Sequence, residues 1–123
     1  MTTTNSLSQR EQLAIQCLEF LENLPEYAPG DYLYCIGWKY AECRFRFKAQ
    51  TIESANEGTY VYNEITVERD QFLKGMHQLL DWADENPMCE IGRWVRSGDL
   101  GQWDSDVMNL LLNFTIYGEL VFG

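Results

Sequence analysis

The strictest alternation of apolar and polar positions in the chain runs over residues 41–49. The apolar parity consists of Cys43, Phe45, Phe47 and Ala49, and the charged parity consists of Glu42, Arg44, Arg46 and Lys48. Because successive side chains of a strand point to opposite faces, this pattern predicts a strand with one buried face and one solvent-exposed face. Such a strand is typical of an antiparallel sheet that helices cover on one side only.

Two more stretches with strand composition flank this one. Residues 32–40 are rich in aromatic side chains and apolar on both parities, which predicts a strand that is covered on both faces or lies centrally in the sheet, with Gly37 at a bulge or a close backbone approach. Its connection to residues 41–49 is too short for a crossover, so we expect an antiparallel hairpin or one long bent strand. After a turn at residues 56–58, residues 59–67 predict the third strand of an antiparallel meander.

Helical periodicity precedes and follows the predicted strands. Residues 8–24 carry apolar side chains at helical spacing, begin with a capping box at Ser8 and end before Pro25. A second stretch with the same spacing begins behind Asp70, a suitable N-cap, and ends at Pro87. The order to this point is therefore helix, three strands, helix.

The last third of the chain has weaker periodicity. Residues 89–95 alternate loosely and predict a short strand. Residues 107–112 have helical spacing behind Asp104 or Ser105, either of which suits a helix cap. Residues 113–122 are again strand-like, and an apolar strand of this kind must be paired or buried. We expect it to close the sheet or to meet a second copy of the protein.

Length and composition indicate one packed domain. A chain of 123 residues, 46% of them hydrophobic, buries one core but is too short for two. We therefore predict a single α+β domain over residues 1–123. It consists of an antiparallel sheet of three to five strands with helices packed on one face, in the order α-β-β-β-α followed by a β/α third. Residues 1–7 are polar, and we expect them to be flexible.

The charge balance narrows the choice of partners. The formal net charge is −10, which keeps a protein soluble and repels nucleic acids and anionic membranes. No stretch approaches the roughly 20 apolar residues that cross a bilayer, and residues 1–7 do not resemble a signal peptide. The four cysteines form no Cys-x-x-Cys pair. These features predict a cytoplasmic protein with reduced thiols, no membrane association and no direct contact with nucleic acid.

One part of the chain departs from this acidity. Residues 39–48 hold four cations and one acid, beside aromatic side chains at Tyr34, Trp38 and Tyr40. Basic and aromatic residues together are typical of single-stranded nucleic-acid platforms, and the element order resembles that of double-stranded-RNA-binding domains. The chain lacks the basic loop and second-helix residues of those domains. We instead expect the cations to pair with carboxylates across the sheet.

No set of residues predicts catalysis, a cofactor or a bound metal. His77, the single histidine, has Lys74 and Asp81 at helical spacing, as a carboxylate-oriented base would, but a surface histidine has such neighbours too. The Asp-Ser-Asp run at residues 104–106 favours a helix N-terminus over a metal site, because no phosphate-binding loop accompanies it. We predict that the protein is not an enzyme. The alternative, an enzyme with an unrecognised site, requires His77 to meet a cysteine or several carboxylates.

Acidic and aromatic residues together predict a protein-binding surface. Two tryptophans flank the loop at residues 96–101, and acids gather around it and at the end of the second predicted helix. The predicted contact residues are Asp81, Asp84, Glu85, Glu90, Trp94, Asp99, Trp103, Asp104 and Asp106. Such a surface suits an inhibitor or antidote of the immunity, anti-restriction or anti-CRISPR type. It would block a basic nuclease, toxin or effector complex by matching its positive channel.

A second interpretation is a homodimeric acidic adaptor that binds a client chain. Secretion chaperones are similar in size, in acidity and in the order helix, three strands, helix. In this interpretation the apolar residues 113–122 and the hydrophobic first strand hold the second copy or the client. The two functions differ in an observable way, because an acidic inhibitor releases its partner at high salt and an apolar dimer does not.

Overall fold

An antiparallel sheet of three strands, in the spatial order β1-β2-β3, forms one layer of the computed structural model, which describes residues 8–122. Strand β1 spans Leu33–Lys39, β2 spans Arg44–Gln50 and β3 spans Tyr62–Val67. The predicted α+β class and the antiparallel sheet of three sequential strands are confirmed. The predicted element order is confirmed only in part, because a short helix at Ile52–Glu57 separates β2 from β3. Of the three to five strands predicted, the described residues form three. The expectation for residues 1–7 lies outside the described residues.

Strand β2 shows the alternation that the sequence predicts. Its buried parity consists of Phe45, Phe47 and Ala49, and its exposed parity consists of Arg44, Arg46 and Lys48. The strand begins at Arg44, later than expected. A 3₁₀ turn at Tyr40–Glu42 precedes it, and Cys43 then takes a left-handed conformation with φ of 50° that completes the reversal of the chain.

Strand β1 lies at the edge of the sheet and pairs with β2 alone. A bulge between Cys35 and Gly37 interrupts the register, so the predicted hairpin and bulge are both confirmed. The expectation that this strand is central or covered on both faces is wrong. Tyr34, Ile36 and Trp38 are exposed, and among the described residues no element pairs with the outer edge of β1.

Helices form the second layer. The α-helices are α1 (Gln9–Cys17), α2 (Leu24–Tyr27), α3 (Ile52–Glu57), α4 (Arg69–Glu85), α5 (Glu90–Ser97) and α6 (Ser105–Tyr117). Two 3₁₀ segments, Leu18–Asn23 and Leu100–Gln102, precede α2 and α6. None of the described helices is long and apolar enough to cross a membrane.

The predicted first helix is only partly regular. The side chain of Ser8 caps α1 by accepting a hydrogen bond from the N–H of Glu11 at 3.1 Å, as predicted. The helix then tightens to 3₁₀ geometry after Cys17. Pro25 does not end it. Instead Pro25 lies in the first turn of α2, where its missing N–H is not needed.

The second predicted helix is α4, but its cap differs from the prediction. Glu68, and not Asp70, is the N-cap, and Glu68 forms a reciprocal capping box with Gln71. Asn86 follows the last residue of α4, so the predicted end at Asn86 and Pro87 is confirmed. The expected turn at residues 56–58 is the end of α3, where Gly58 adopts φ of 73°.

Both strands predicted in the last third are wrong. Residues 89–95 belong largely to α5, whose apolar positions Ile91 and Val95 are one helical turn apart and pack on the core. Residues 113–117 continue α6, which begins behind Asp104 as predicted and ends at Gly118 with φ of 74°. Residues 119–122 form no strand, so they do not extend the sheet.

Candidate functional site

The two tryptophans of the predicted contact surface contribute to packing. Trp103 is 4% exposed. Its ring meets that of Phe20 edge-on at 5.1 Å, and its Nε1 donates a hydrogen bond to the carbonyl of Trp94 at 3.0 Å. Trp94 is half-buried against the core. The ring of Trp103 therefore belongs to the core and is not offered to a partner.

Asp99 and Asp104 hold local backbone. Asp99 accepts a hydrogen bond from the N–H of Gly101 at 3.2 Å. Asp104 is the N-cap of α6 and accepts from the N–H groups of Asp106 and Val107 at 3.0 and 3.2 Å. The interpretation of residues 104–106 as a helix N-terminus is therefore confirmed.

Asp81 and Asp84 share one cation. The guanidinium of Arg10 binds both carboxylates, with 2.8 Å between Nη1 and Asp84, and its Nη2 also donates to the carbonyl of His77 at 3.3 Å. This arrangement ties α1 to α4 across the surface. Because both ion pairs are exposed, Arg10 offsets part of the negative charge that these carboxylates present to a partner.

Three predicted contact residues keep free carboxylates. Glu85 ends α4, Glu90 begins α5 and Asp106 lies in the first turn of α6, and all three are exposed. Within residues 8–122 their carboxylates form no ion pair or hydrogen bond. These acids are the part of the predicted set whose charge is available to another molecule.

One of these acids lines a hollow between α4, α5, α6 and residues 119–122. Its volume is about 340 Å³, its wall includes Trp82, Ile91, Leu110 and Leu120, and Asp106 lines it directly. Glu90 adjoins Ile91 in the chain, and Glu85 lies one helical turn after Trp82. We call this feature, with Glu85, Glu90 and Asp106, the acidic hollow.

Sequence reasoning missed the apolar wall of the acidic hollow. Trp82 lies near the apolar stripe of α4, where it packs half-buried against the core and also lines the hollow. Met88 is 91% exposed beside Cys89, which also lines the hollow. The available signal was the Asn-Pro dipeptide at residues 86 and 87, which favours a turn and so places Met88 at the surface.

A larger cleft of about 730 Å³ lies beside β3 and offers less chemistry. Its apolar walls include Ile65, Val67 and Ile116, and Glu53 is its single charged lining residue. None of the predicted contact residues lines this cleft. It is therefore a weaker candidate than the acidic hollow.

His77 does not assemble a catalytic group. Among the described residues its imidazole forms no hydrogen bond or ion pair, and its predicted partner Asp81 is bound to Arg10. Burial raises the pKa of the Cys17 thiol to about 12 and also raises the pKa of Cys35 and Cys43, which disfavours the nucleophilic thiolate. Residues 8–122 contain no group of three His, Cys, Asp or Glu side chains that could hold a metal ion.

The two arginines of the sheet are paired. Arg44 contacts Glu42 and Glu68, each at 3.2 Å, and Arg46 contacts Glu64 at 3.1 Å. The expectation that these cations pair with carboxylates is confirmed for the arginines, whereas Lys39 and Lys48 form no ion pair among the described residues. A phosphate chain laid on this face would have to compete with those carboxylates.

Comparison of the chain with protein-family models, with curated proteins and with solved structures finds no match. We therefore argue function from the geometry of the acidic hollow and from the distribution of paired and unpaired charge.

Proposed function

We propose that this chain is a small acidic inhibitor or antidote, and not an enzyme, that docks on a basic protein through the acidic hollow. The observation behind the proposal is the combination of three unpaired carboxylates with an apolar recess at one place on the surface. Specific interfaces combine an apolar centre with a polar rim. Trp82, Ile91 and Leu110 line the apolar centre and Asp106 lines its edge, while Glu85 and Glu90 lie within one helical turn of lining residues.

The partner we propose is a basic nuclease, toxin or effector complex in the cytoplasm. A net charge of −10 raises the rate of association with such a partner, and this increase becomes smaller as salt screens the charges. Acidic side chains around an apolar anchor occupy a positive channel without binding nucleic acid themselves. Affinity then depends on the apolar anchor, and selectivity depends on the carboxylates.

A charge-reversal experiment tests the proposal. The variant Glu85→Lys/Glu90→Lys/Asp106→Lys changes the hollow. The matched control Glu26→Lys/Glu53→Lys/Glu57→Lys has the same net charge and changes three exposed acids elsewhere. Each tagged protein is used to capture partners from host lysate at low and at high salt, and mass spectrometry identifies them. We expect a basic partner that the control retains, the hollow variant loses and high salt releases. Equal capture by both variants would refute the role of the hollow.

The second candidate function, a homodimeric adaptor, is favoured by one observation. Strand β1 exposes Tyr34, Ile36 and Trp38 along an edge that no described element pairs with, and Trp38 is 55% exposed. An unpaired aromatic edge is a surface on which a second strand can add. Residues 119–122 favour this function less than β1 does, because Phe122 packs back on Tyr32 of the same chain.

A further inference from the structure

Residues 119–122 lie in a groove that binds their main chain. Asn113 is fully buried in α6, and its Oδ1 accepts hydrogen bonds from the N–H groups of Val121 at 3.0 Å and Phe122 at 2.9 Å. Its Nδ2 donates to the carbonyl of Phe122 at 3.0 Å, and Asn109 Nδ2 donates to the same carbonyl at 3.3 Å. One buried amide therefore binds both the donors and an acceptor of a short extended segment.

The groove also holds one aromatic side chain. The ring of Phe122 stacks on Tyr32 with centroids 4.3 Å apart and planes 4° apart, and Tyr117 lies 5.3 Å away at an angle. The hydroxyl of Tyr32 donates to Asn109 and accepts from Asn113 Nδ2 at 3.2 Å. The polar and aromatic parts of the groove are thus joined in one hydrogen-bonded group.

These contacts involve the peptide backbone of the segment and its one aromatic ring, and they involve few of its other side chains. Leu120 is 45% exposed, and Glu119 is exposed. We infer that the groove formed by Tyr32, Asn109, Asn113 and Tyr117 is a binding site for an extended peptide with a phenylalanine. Residues 119–122 fill it in the free protein, and an extended phenylalanine-containing segment of the partner takes their place in the complex.

The attachment of residues 119–122 permits such an exchange. Gly118 ends α6 in a left-handed conformation, and the residues after it add no helix or strand. An empty groove would leave the buried Oδ1 of Asn113 without its two donors, which is costly. Replacement by another peptide restores every hydrogen bond, so exchange is favoured over simple opening.

Competition decides which peptide occupies the groove. A segment tethered by a short linker has an effective concentration on the order of 1 mM, so a free peptide at micromolar concentration competes poorly. A partner already docked through the carboxylates at the acidic hollow gains the same advantage, and its segment then replaces the wall that Leu120, Val121 and Phe122 give the hollow in the free protein. In this respect the inference rests on the proposed function.

A labelled peptide tests the inference without the partner. The probe is a fluorescent, end-blocked peptide with the sequence Gly-Glu-Leu-Val-Phe-Gly, titrated into the full chain and followed by anisotropy. In Phe122→Ala the internal competitor loses its ring stack, so we expect the peptide to bind about tenfold more tightly than to the wild type. Tyr60→Ala, at an aromatic side chain that is 78% exposed and lies outside both sites, is the control and should bind as the wild type does. A peptide with alanine in place of phenylalanine should bind neither protein.

Two further measurements fix the position of the peptide. In the wild type, excess peptide should release residues 119–122, and the amides of Val121 and Phe122 should lose their protection from hydrogen exchange. Peptide binding without this loss would place the peptide elsewhere and overturn the inference. So would absence of binding to a Phe122→Ala protein whose circular dichroism is native.

Two further outcomes distinguish failure of this inference from failure of the proposed function, and test whether a second copy of the chain occupies the groove. The Glu85→Lys/Glu90→Lys/Asp106→Lys protein should still bind the peptide even if it captures no partner, because the side chains that line the groove are uncharged. A wild-type dimer that dissociates in Phe122→Ala would instead assign the groove to residues 119–122 of a second copy, and would overturn the partner assignment.

Discussion

Replacement of Gly75 by alanine tests how closely α4 and α6 pack. A Cβ on Gly75 would lie 2.0 Å from Thr115 Oγ1 and 2.9 Å from both Cα and Cβ of Thr115. The hydroxyl can rotate away, but the Cα cannot move without the backbone of α6. Since ordinary contacts begin near 3.4 Å, the helices must separate locally by about 0.5 Å, with a loss of dispersion contacts along the interface.

The expected loss follows from two opposing terms. An extra methyl in a packed core costs about 1–3 kcal/mol, whereas alanine is favoured over glycine in a helix interior by about 1 kcal/mol. Because the clash at Gly75 involves backbone, we place the packing cost near 3 kcal/mol. The free energy of unfolding should therefore fall by about 2 kcal/mol, which lowers the midpoint of thermal unfolding by about 8 °C in a domain of this size.

Urea unfolding followed by tryptophan fluorescence measures this loss. Gly37→Ala is the matched control, because a Cβ there meets only Arg46 Nη1 at 3.8 Å. It should change the free energy of unfolding by less than about 0.5 kcal/mol. Thr115→Ala removes a buried hydroxyl that has no hydrogen-bond partner among the described residues. This change should cost little by itself, and the double variant should recover part of the loss. A Gly75→Ala protein as stable as the wild type would refute the close approach of α4 and α6.

Three further predictions concern stability at alkaline pH, the N-cap of α6 and the exposed edge of β1. Burial raises the pKa of Cys17 from 9.0 to about 12, so the unfolded chain loses this proton first. The free energy of unfolding should then fall between about pH 9 and pH 12, and less so in Cys17→Ala, as urea titrations at several pH values would show. Asp104→Ala should lower that free energy by about 1 kcal/mol, because Asp104 caps α6; Glu53→Ala should not, and an equal loss in both would contradict capping. If β1 holds a second copy, sedimentation should show a wild-type dimer and a Trp38→Lys monomer, whereas a monomeric wild type at micromolar concentration excludes the adaptor.

The alternation of apolar and polar residues predicts the sheet well, because its central strand, β2, has one solvent-exposed face and one buried face. The parity of β2 and the bulge near Gly37 could be read directly, since a period of two leaves few alternatives. The position of β1 could not be read in this way. Its aromatic residues indicate burial by composition, but Tyr34 and Trp38 are exposed because the strand lies at an edge. Edge and centre differ in the neighbours of a strand, which a single sequence does not show.

Short apolar runs explain the errors in the last third. Ile91 and Val95 have the same parity in a strand and lie one turn apart in a helix, so both interpretations fit. The packing of residues 90–97 against α4 favours the helix. Asn113 carried the clearer signal, because an amide inside the apolar run of α6 needs buried partners. Those partners proved to be the main-chain groups of Val121 and Phe122.

Formal charge and available charge differ in this protein, and the difference determines which site a partner can use. The net charge of −10 counts every carboxylate equally, yet Asp104 is occupied by backbone N–H groups and Asp81 by Arg10. A basic partner gains less from such groups, because neighbouring donors already offset part of their charge. Asp106 has no such partner among the described residues and lines an apolar recess. Within the predicted contact set, the carboxylates without partners therefore narrow the candidate site more than acidic composition does.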